Sequence, residues 1–141
     1  MIRFAKRHDI PEMALLAFRN RESFGGLMTA EDLNRMLREE ASLLIVAETH
    51  KLVEFSVMKI SHHPDLRIWS SFTAAEPGTS SEIKRQVREF QVKIAKELGF
   101  DKIWGHVLHS NPAALARRIK SGWTVEQEGS RASLISLEVA T

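Results

Sequence analysis

Between Glu97 and Trp123 the chain reads ELGFDKIWGHVLHSNPAALARRIKSGW, and this order of signals sets a strand between two helices. Gly99 stands where the first helix must stop, because glycine accepts the left-handed backbone of a helix C-terminus without a steric penalty. The next residues predict a strand over 101–108, with Ile103, Trp104, Val107 and Leu108 as its apolar members. Asn111 is a strong N-cap, and Pro112 fits the first helical position, where its missing N–H would have had no partner. A helix over 111–121 follows, Gly122 ends it, and Trp123 opens another apolar run.

The remaining sequence supplies more strands and helices. Ile2 to Ala5 predicts a short strand, and Asp9 is read as the cap of a helix whose buried face holds Ile10, Met13, Ala14, Ala17 and Phe18. Arg19 to Met28, with the pair Gly25-Gly26, reads as a connection. Thr29 begins a helix over 29–40 that carries Leu33, Met36 and Leu37 at helical spacing. The runs 43–49 and 52–60 predict a hairpin turning at His50-Lys51. After a polar loop from Ser61 to Leu66, a strand is expected over 67–75. The helix over 82–98 shows an apolar stripe of Ile83, Val87, Phe90, Ile94 and Leu98. Residues from Trp123 to Ala140, with a turn around Gly129-Ser130, predict a closing hairpin. The expected fold class is α/β, a mixed central sheet flanked by helices, in one domain spanning 1–141.

Composition narrows the function classes. The chain of 141 residues is 43% hydrophobic and 27% charged, which is globular rather than disordered. A net charge of +2 does not argue for nucleic acid, although Arg117, Arg118 and Lys120 make a local basic patch. No apolar run approaches the roughly 20 residues of a membrane span, and no apolar signal segment follows the basic N-terminus. A cytoplasmic location is therefore expected. There is no cysteine, hence no disulfide, thiolate metal site or cysteine nucleophile.

The stretch N-P-A-A-L-A-R-R-I-K-S-G-W, Asn111 to Trp123, resembles the short helix of the GNAT family, the acetyl-CoA-dependent N-acyltransferases, whose pattern is N-P-x-A-x-x-x-Y-x-x-x-G-F. Asn111, Pro112, Ala114 and Gly122 match, and Trp123 replaces the phenylalanine. The resemblance implies the GNAT-like fold, with acetyl-CoA in the V between the fourth and fifth strands and an amine as acceptor. It implies that Ala74, Ala75 and Glu76, or the strand backbone, polarise the thioester, and that Asn111 lies at the donor site. Arg118 stands where the family most often has the tyrosine that reprotonates the CoA thiolate. An arginine keeps its proton at neutral pH, and the chain contains no tyrosine.

The resemblance also implies a Q/R-x-x-G-x-G/A loop for the CoA pyrophosphate, and its positions fall on Thr79, Ser80, Ser81, Glu82, Ile83 and Lys84. No glycine stands among them. The residues themselves read as a capping box, Thr79 with Glu82, which occupies the orphan N–H groups and adds a carboxylate where phosphates would sit. Lys84, Arg85 and Arg88 offset that repulsion, so CoA binding is expected to be weakened.

Other chemical candidates carry two readings each. Glu54, in Val53-Glu54-Phe55, is either a base projecting into the central cleft or a solvated strand carboxylate. His106 and His109 are either proton relays or residues lining a strand end. His62, His63 and Asp65 offer no third ligand at a metal-binding spacing, and no metal is expected. Ser70 and Ser71 lack triad companions. Trp69, Trp104 and Trp123 read as core residues. Two functions follow. One is a catalytically silent GNAT-like module that binds a protein partner or a second copy through the basic short helix, as the similarity to small virion proteins of short-tailed phages implies; its location would then be the virion. The other is an acetyl-CoA-dependent N-acetyltransferase acting on a primary amine, with Glu54 or His106 as base. The loss of both glycines and tyrosine favours the first.

Overall fold

The computed structural model describes residues 1–24 and 26–139. Gly25, expected in the connection, and Ala140, expected in the closing hairpin, lie outside the described residues, as does Thr141. Seven strands form one sheet in the order β1-β2-β3-β4-β5-β7-β6. β1 (Ile2–Phe4), β2 (Ser42–Glu48), β3 (Leu52–Ser61) and β4 (Arg67–Ala75) are antiparallel neighbours. β5 (Lys102–Leu108) runs parallel to β4, while β6 (Thr124–Glu128) and β7 (Ala132–Glu138) form the closing hairpin, with β7 inserted against β5.

The helices α1 (Ile10–Arg19), α2 (Arg21–Phe24), α3 (Ala30–Arg38), α4 (Ser81–Glu97) and α5 (Pro112–Lys120) divide between the sheet faces. On one face Met13 and Leu16 of α1 and Leu33 and Met36 of α3 pack against Phe55, Val57 and Ala74. On the other, Ile94 and Ala95 of α4, together with Trp123, pack against Ile45, Met58, Ile68, Ile103 and Ile135. The central strand β3 therefore buries side chains on both faces from Leu52 to Met58, including the polar Glu54 and Ser56. Each such aliphatic side chain contributes about 1.5–3 kcal/mol by leaving water.

Two glycines set the helix that carries the cleft wall and the one that follows it. Gly99 (φ 87) and Gly122 (φ 100) take the left-handed conformation just past α4 and α5. Phe100 N–H then donates to Ala95 O, and Trp123 N–H to Arg118 O, the long bond of a Schellman stop. Asn111 caps α5 as expected, its Oδ1 accepting from Ala114 N–H at 3.2 Å.

Several local expectations need correction. Asp9 does not cap α1 through its side chain; it ends a 3₁₀ turn (Arg7–Asp9), and its carboxylate accepts from Lys6 N–H and from both terminal nitrogens of Arg3. The bidentate ion pair outcompetes the cap. Phe18 is exposed, with Arg21 over its ring, and Leu16 takes the buried position. Residues 21–24 are helical rather than part of a plain connection. The capping box at Thr79 is absent: Ser80 caps α4, while Thr79 Oγ1 donates to Glu76 O and Val53 O. Glu82 does not reach back either, because Arg85 and Gln86 hold it on the outer surface of the helix. Leu98 is exposed, and the buried stripe of α4 runs through Val87, Gln91, Ile94 and Ala95.

Candidate functional site

β4 and β5 pair at Ile68↔Ile103 and Trp69↔Trp104 and then separate. The register explains the separation. Val57 faces Phe72 but Met58 faces Ser70, so Ser71 is an extra residue in β4. Such a bulge bends its strand and increases its twist. Beyond it β4 stays with β3 as far as Ala75, while β5 stays with β7 as far as Leu108. The facing edges of the two strands are left without a ladder between them.

A cleft of about 550 Å³ opens in this gap, bounded by α4 and α5. Its floor is Glu54, which lies opposite Ala75 on β4 and Ala47 on β2 and is only 2% exposed. The reading of Glu54 as a solvated carboxylate is therefore wrong. Both faces of β3 are covered, so a residue in the middle of it has no route to bulk water except the cleft. Glu54 Oε1 has no hydrogen-bond partner among the described residues, and neither does Ser70 Oγ, which lines the same space. Burial pushes the Glu54 carboxyl up to about 7, against the opposing pull of Lys84 and Arg118. A carboxyl in that range is charged for about half the time at neutral pH, which suits proton transfer.

The walls mix polar and apolar side chains. Gln91 on α4 donates from Nε2 to Ser56 Oγ at 3.1 Å, a buried pair that fixes α4 against β3 beside Glu54. Asn20, past the end of α1, donates to Leu16 O and to Ala75 O, which ties that helix end to the last residue of β4 at the rim. Lys84 and Arg88 of α4 line the cleft together with Arg117 and Arg118 of α5. The Arg118 guanidinium lies 4.9 Å from the centre of the Trp123 ring, a cation–π contact. Burial, with the charges of Arg117 and Arg88, lowers its pKa. Gly105 lies beneath the Trp123 ring, where a Cβ would sit in ordinary contact with Trp123 Cζ3 and Ile135 Cγ1, both at 3.6 Å.

The structure thus brings together Glu54, His106, Arg118, Ala75, Lys84 and Asn111 around one cleft. His106 is exposed and stacks on Trp69, with ring centroids 5.1 Å apart. Other expected donor residues stand away from the cleft lining. Ala74 points into the core beside Phe55. Glu76 pairs with Arg19, and its N–H donates to Val53 O. Thr79 and Ser80 are occupied by the turn and the cap, and Ser81 begins α4. His109 lies 3.4 Å from Ser133 Oγ. Asp65 pairs with Arg67, no group of three potential metal ligands forms among the described residues, and Arg67 lies 3.7 Å from the Trp104 ring centre. Sequence reasoning missed Gln91, Asn20 and the Ser71 bulge. Gln91 had a signal: it follows Val87 by one helical turn and so falls on the buried face.

No family model matches the chain, and no curated protein does. Solved structures do. An N-acetyltransferase of Thermoplasma acidophilum (PaiA), solved in complex with coenzyme A, is 17% identical with a TM-score of 0.83, covering 98% of each chain. The ribosomal-protein-S18-alanine N-acetyltransferase of Escherichia coli is 15% identical with a TM-score of 0.78, covering 100% of this chain and 94% of its own. A GNAT-family acetyltransferase of Streptococcus pneumoniae is 20% identical with a TM-score of 0.71, covering 99% of each chain. The chain has the fold of the GNAT N-acetyltransferases.

Proposed function

We propose that this protein is an acyl-CoA-dependent N-acyltransferase that uses Glu54 as its general base. The observation that carries the reading is a buried carboxylate at the floor of the only gap in the sheet among the described residues, with one oxygen lacking a partner. A purely structural module gains nothing from such a group, because an unpaired buried charge destabilises the fold by several kcal/mol. Polar atoms without partners, Glu54 Oε1 and Ser70 Oγ, fit a cleft that completes its hydrogen bonding with a ligand.

Acetyl-CoA would supply an activated acyl group, so that the protein needs to move one proton and hold charge rather than provide a nucleophile. The unladdered edges of β4 and β5 offer main-chain N–H and C=O groups to its amide chain, with Thr73, Ala75 and Asn111 lining that path. Glu54 accepts the proton that an amine sheds as it attacks, directly or through one water. Arg118 cannot act as a general acid, but its fixed positive charge over Trp123 stabilises a departing thiolate. The proton taken up by Glu54 is then available for return to the thiolate, which leaves the carboxylate ready again.

Measuring acetyl transfer to a panel of primary amines and peptide N-termini tests the reading. Wild-type kcat/KM should rise through pH about 7, since the base must be ionised, and Glu54→Gln should lower it by about 10²–10⁴-fold and flatten the profile. A second reading keeps the fold and abandons the chemistry. Arg118 in the place of a tyrosine favours it, as does a capped, glycine-free turn before α4; the exposed basic surface of α5 would then meet a protein partner, in a virion or elsewhere. No transfer to any amine, with a partner captured by wild type but lost in Arg117→Ala, would favour that module.

A further inference from the structure

Trp69 and Trp104, expected in the core, stand half-buried on the sheet face opposite α4 and α5. Alternation along β4 and β5 sets them there, because Ile68 and Ile103 beside them turn to the other face and pack beneath α4. The core under α1 and α3 takes in Phe72 and Ala74 of β4 but no described residue of β5, so it stops short of this pair. The two indoles lie 6.3 Å apart between ring centres. His106 stacks on Trp69 at one end, and the Arg67 guanidinium covers Trp104 at the other. A row of flat side chains thus runs from the cleft to Arg67. His106 and Phe72 line the cleft on this face, and Gln91 and Trp123 line it on the other, so the gap between β4 and β5 is open through the sheet.

The charges along the row decide what kind of amine suits it. Asp65 is held by Arg67, Glu126 by Lys102, and Glu138 stands opposite Lys102 in the strand register. Lys59 stands opposite Trp69, with no carboxylate partner among the described residues. A second ammonium on the acceptor would be repelled by Lys59 and would find each nearby carboxylate already facing a cation. A flat apolar ring, by contrast, gains contact against the indoles. We infer that Trp69 and Trp104 bind the body of the acceptor, a monoamine whose nitrogen stands a short alkyl arm from a flat apolar ring. The inference rests on the acyltransferase reading of the cleft and names its amine class. Trp104 and His106 are two residues apart on β5, roughly 7 Å at the rise of an extended strand. An arm of two or three carbons covers most of that span, which carries the nitrogen from a ring over Trp104 past His106 and into the gap toward Glu54.

Acetyl transfer by the full chain to 2-phenylethylamine, n-butylamine and spermidine tests the inference. The kcat/KM for 2-phenylethylamine should exceed the other two by about tenfold or more. In Trp104→Ala, its melting curve intact, the advantage of the ring over the butyl chain should shrink to about twofold through a raised KM, and Trp104→Phe should restore most of it. Trp104→Leu, which keeps bulk without an aromatic face, takes the place of alanine if that variant does not fold. Butylamine or spermidine used as well as 2-phenylethylamine by wild type, or an unchanged advantage in the Trp104 variants, would overturn the inference and leave the acyltransferase reading standing. If no amine is acylated, calorimetry with 2-phenylethylamine decides. Binding by wild type but not by Trp104→Ala keeps the aromatic surface and fells the acyltransferase reading, whereas no binding fells both.

Discussion

Replacing Glu54 by glutamine should stabilise the protein above neutral pH, and the size of the gain follows from the burial of the carboxyl. In the unfolded chain Glu54 titrates near 4.5, and in the folded protein burial pushes it up to about 7. Between those values the folded state binds a proton that the unfolded state does not, so stability falls as pH rises across the window and levels off above it. At about 1.4 kcal/mol per pH unit, the full loss is about 3 kcal/mol. Glutamine keeps the size and removes the titration. Urea unfolding of wild type and Glu54→Gln from pH 5 to pH 8 reads the difference. The two should be nearly equal at pH 5 and the variant more stable by about 3 kcal/mol at pH 8. Parallel profiles, or a wild type that gains on the variant as pH rises, would refute the reasoning and return Glu54 to an ordinary carboxylate.

Arg118→Ala should lower turnover by about tenfold to a hundredfold, and Arg118→Tyr should recover most of it, because a phenol can deliver the proton that the guanidinium only stabilises electrostatically; steady-state kinetics at saturating donor checks this. Asp9→Asn should destabilise the fold by about 3 kcal/mol at pH 7, since it leaves the Arg3 guanidinium without its bidentate partner. Arg3 holds the Asp9 carboxyl below its usual range, so that contribution is present above pH about 4 and lost as pH falls, which acid unfolding of the two proteins would show. Glu82→Gly should tighten coenzyme A binding by less than about 1 kcal/mol, because Arg85 already holds the Glu82 carboxylate on the outer surface of α4.

Local signals in the sequence were dependable where one residue type solves one backbone problem. Asn111-Pro112, Gly99 and Gly122 mark helix ends because each supplies a cap or a left-handed turn that few other residues can, and the structure uses them so. Strands and helices fell within a few residues of their expected bounds for the same reason. Asp9 and Thr79 mislead because two partners compete for one polar side chain, and the winner is decided by residues distant in sequence or by main-chain turns. The Ser71 bulge depends on a register between two strands that neither strand encodes alone. Burial of Glu54 was not legible: Glu54 and Ser56 alternate with Val53, Phe55 and Val57, a pattern that also suits a strand with one solvated face, and the bulge that opens a cleft beside it did not show. The convergence of Lys84 and Arg88 with Arg117 and Arg118 is a tertiary fact, since the helix spacing within α4 and α5 only places each pair on its own helix.

The central claim, that the cleft transfers an acyl group with Glu54 as base, can be read from thiol release. The chain has no cysteine, so a thiol reagent reports coenzyme A without background from the protein. With acetyl-CoA and the amine panel at pH 8, wild type should release thiol in an amine-dependent manner, and Glu54→Gln should be slower by about a hundredfold or more. Release by wild type no faster than the spontaneous reaction with every amine, or equal release by Glu54→Gln, would contradict the account.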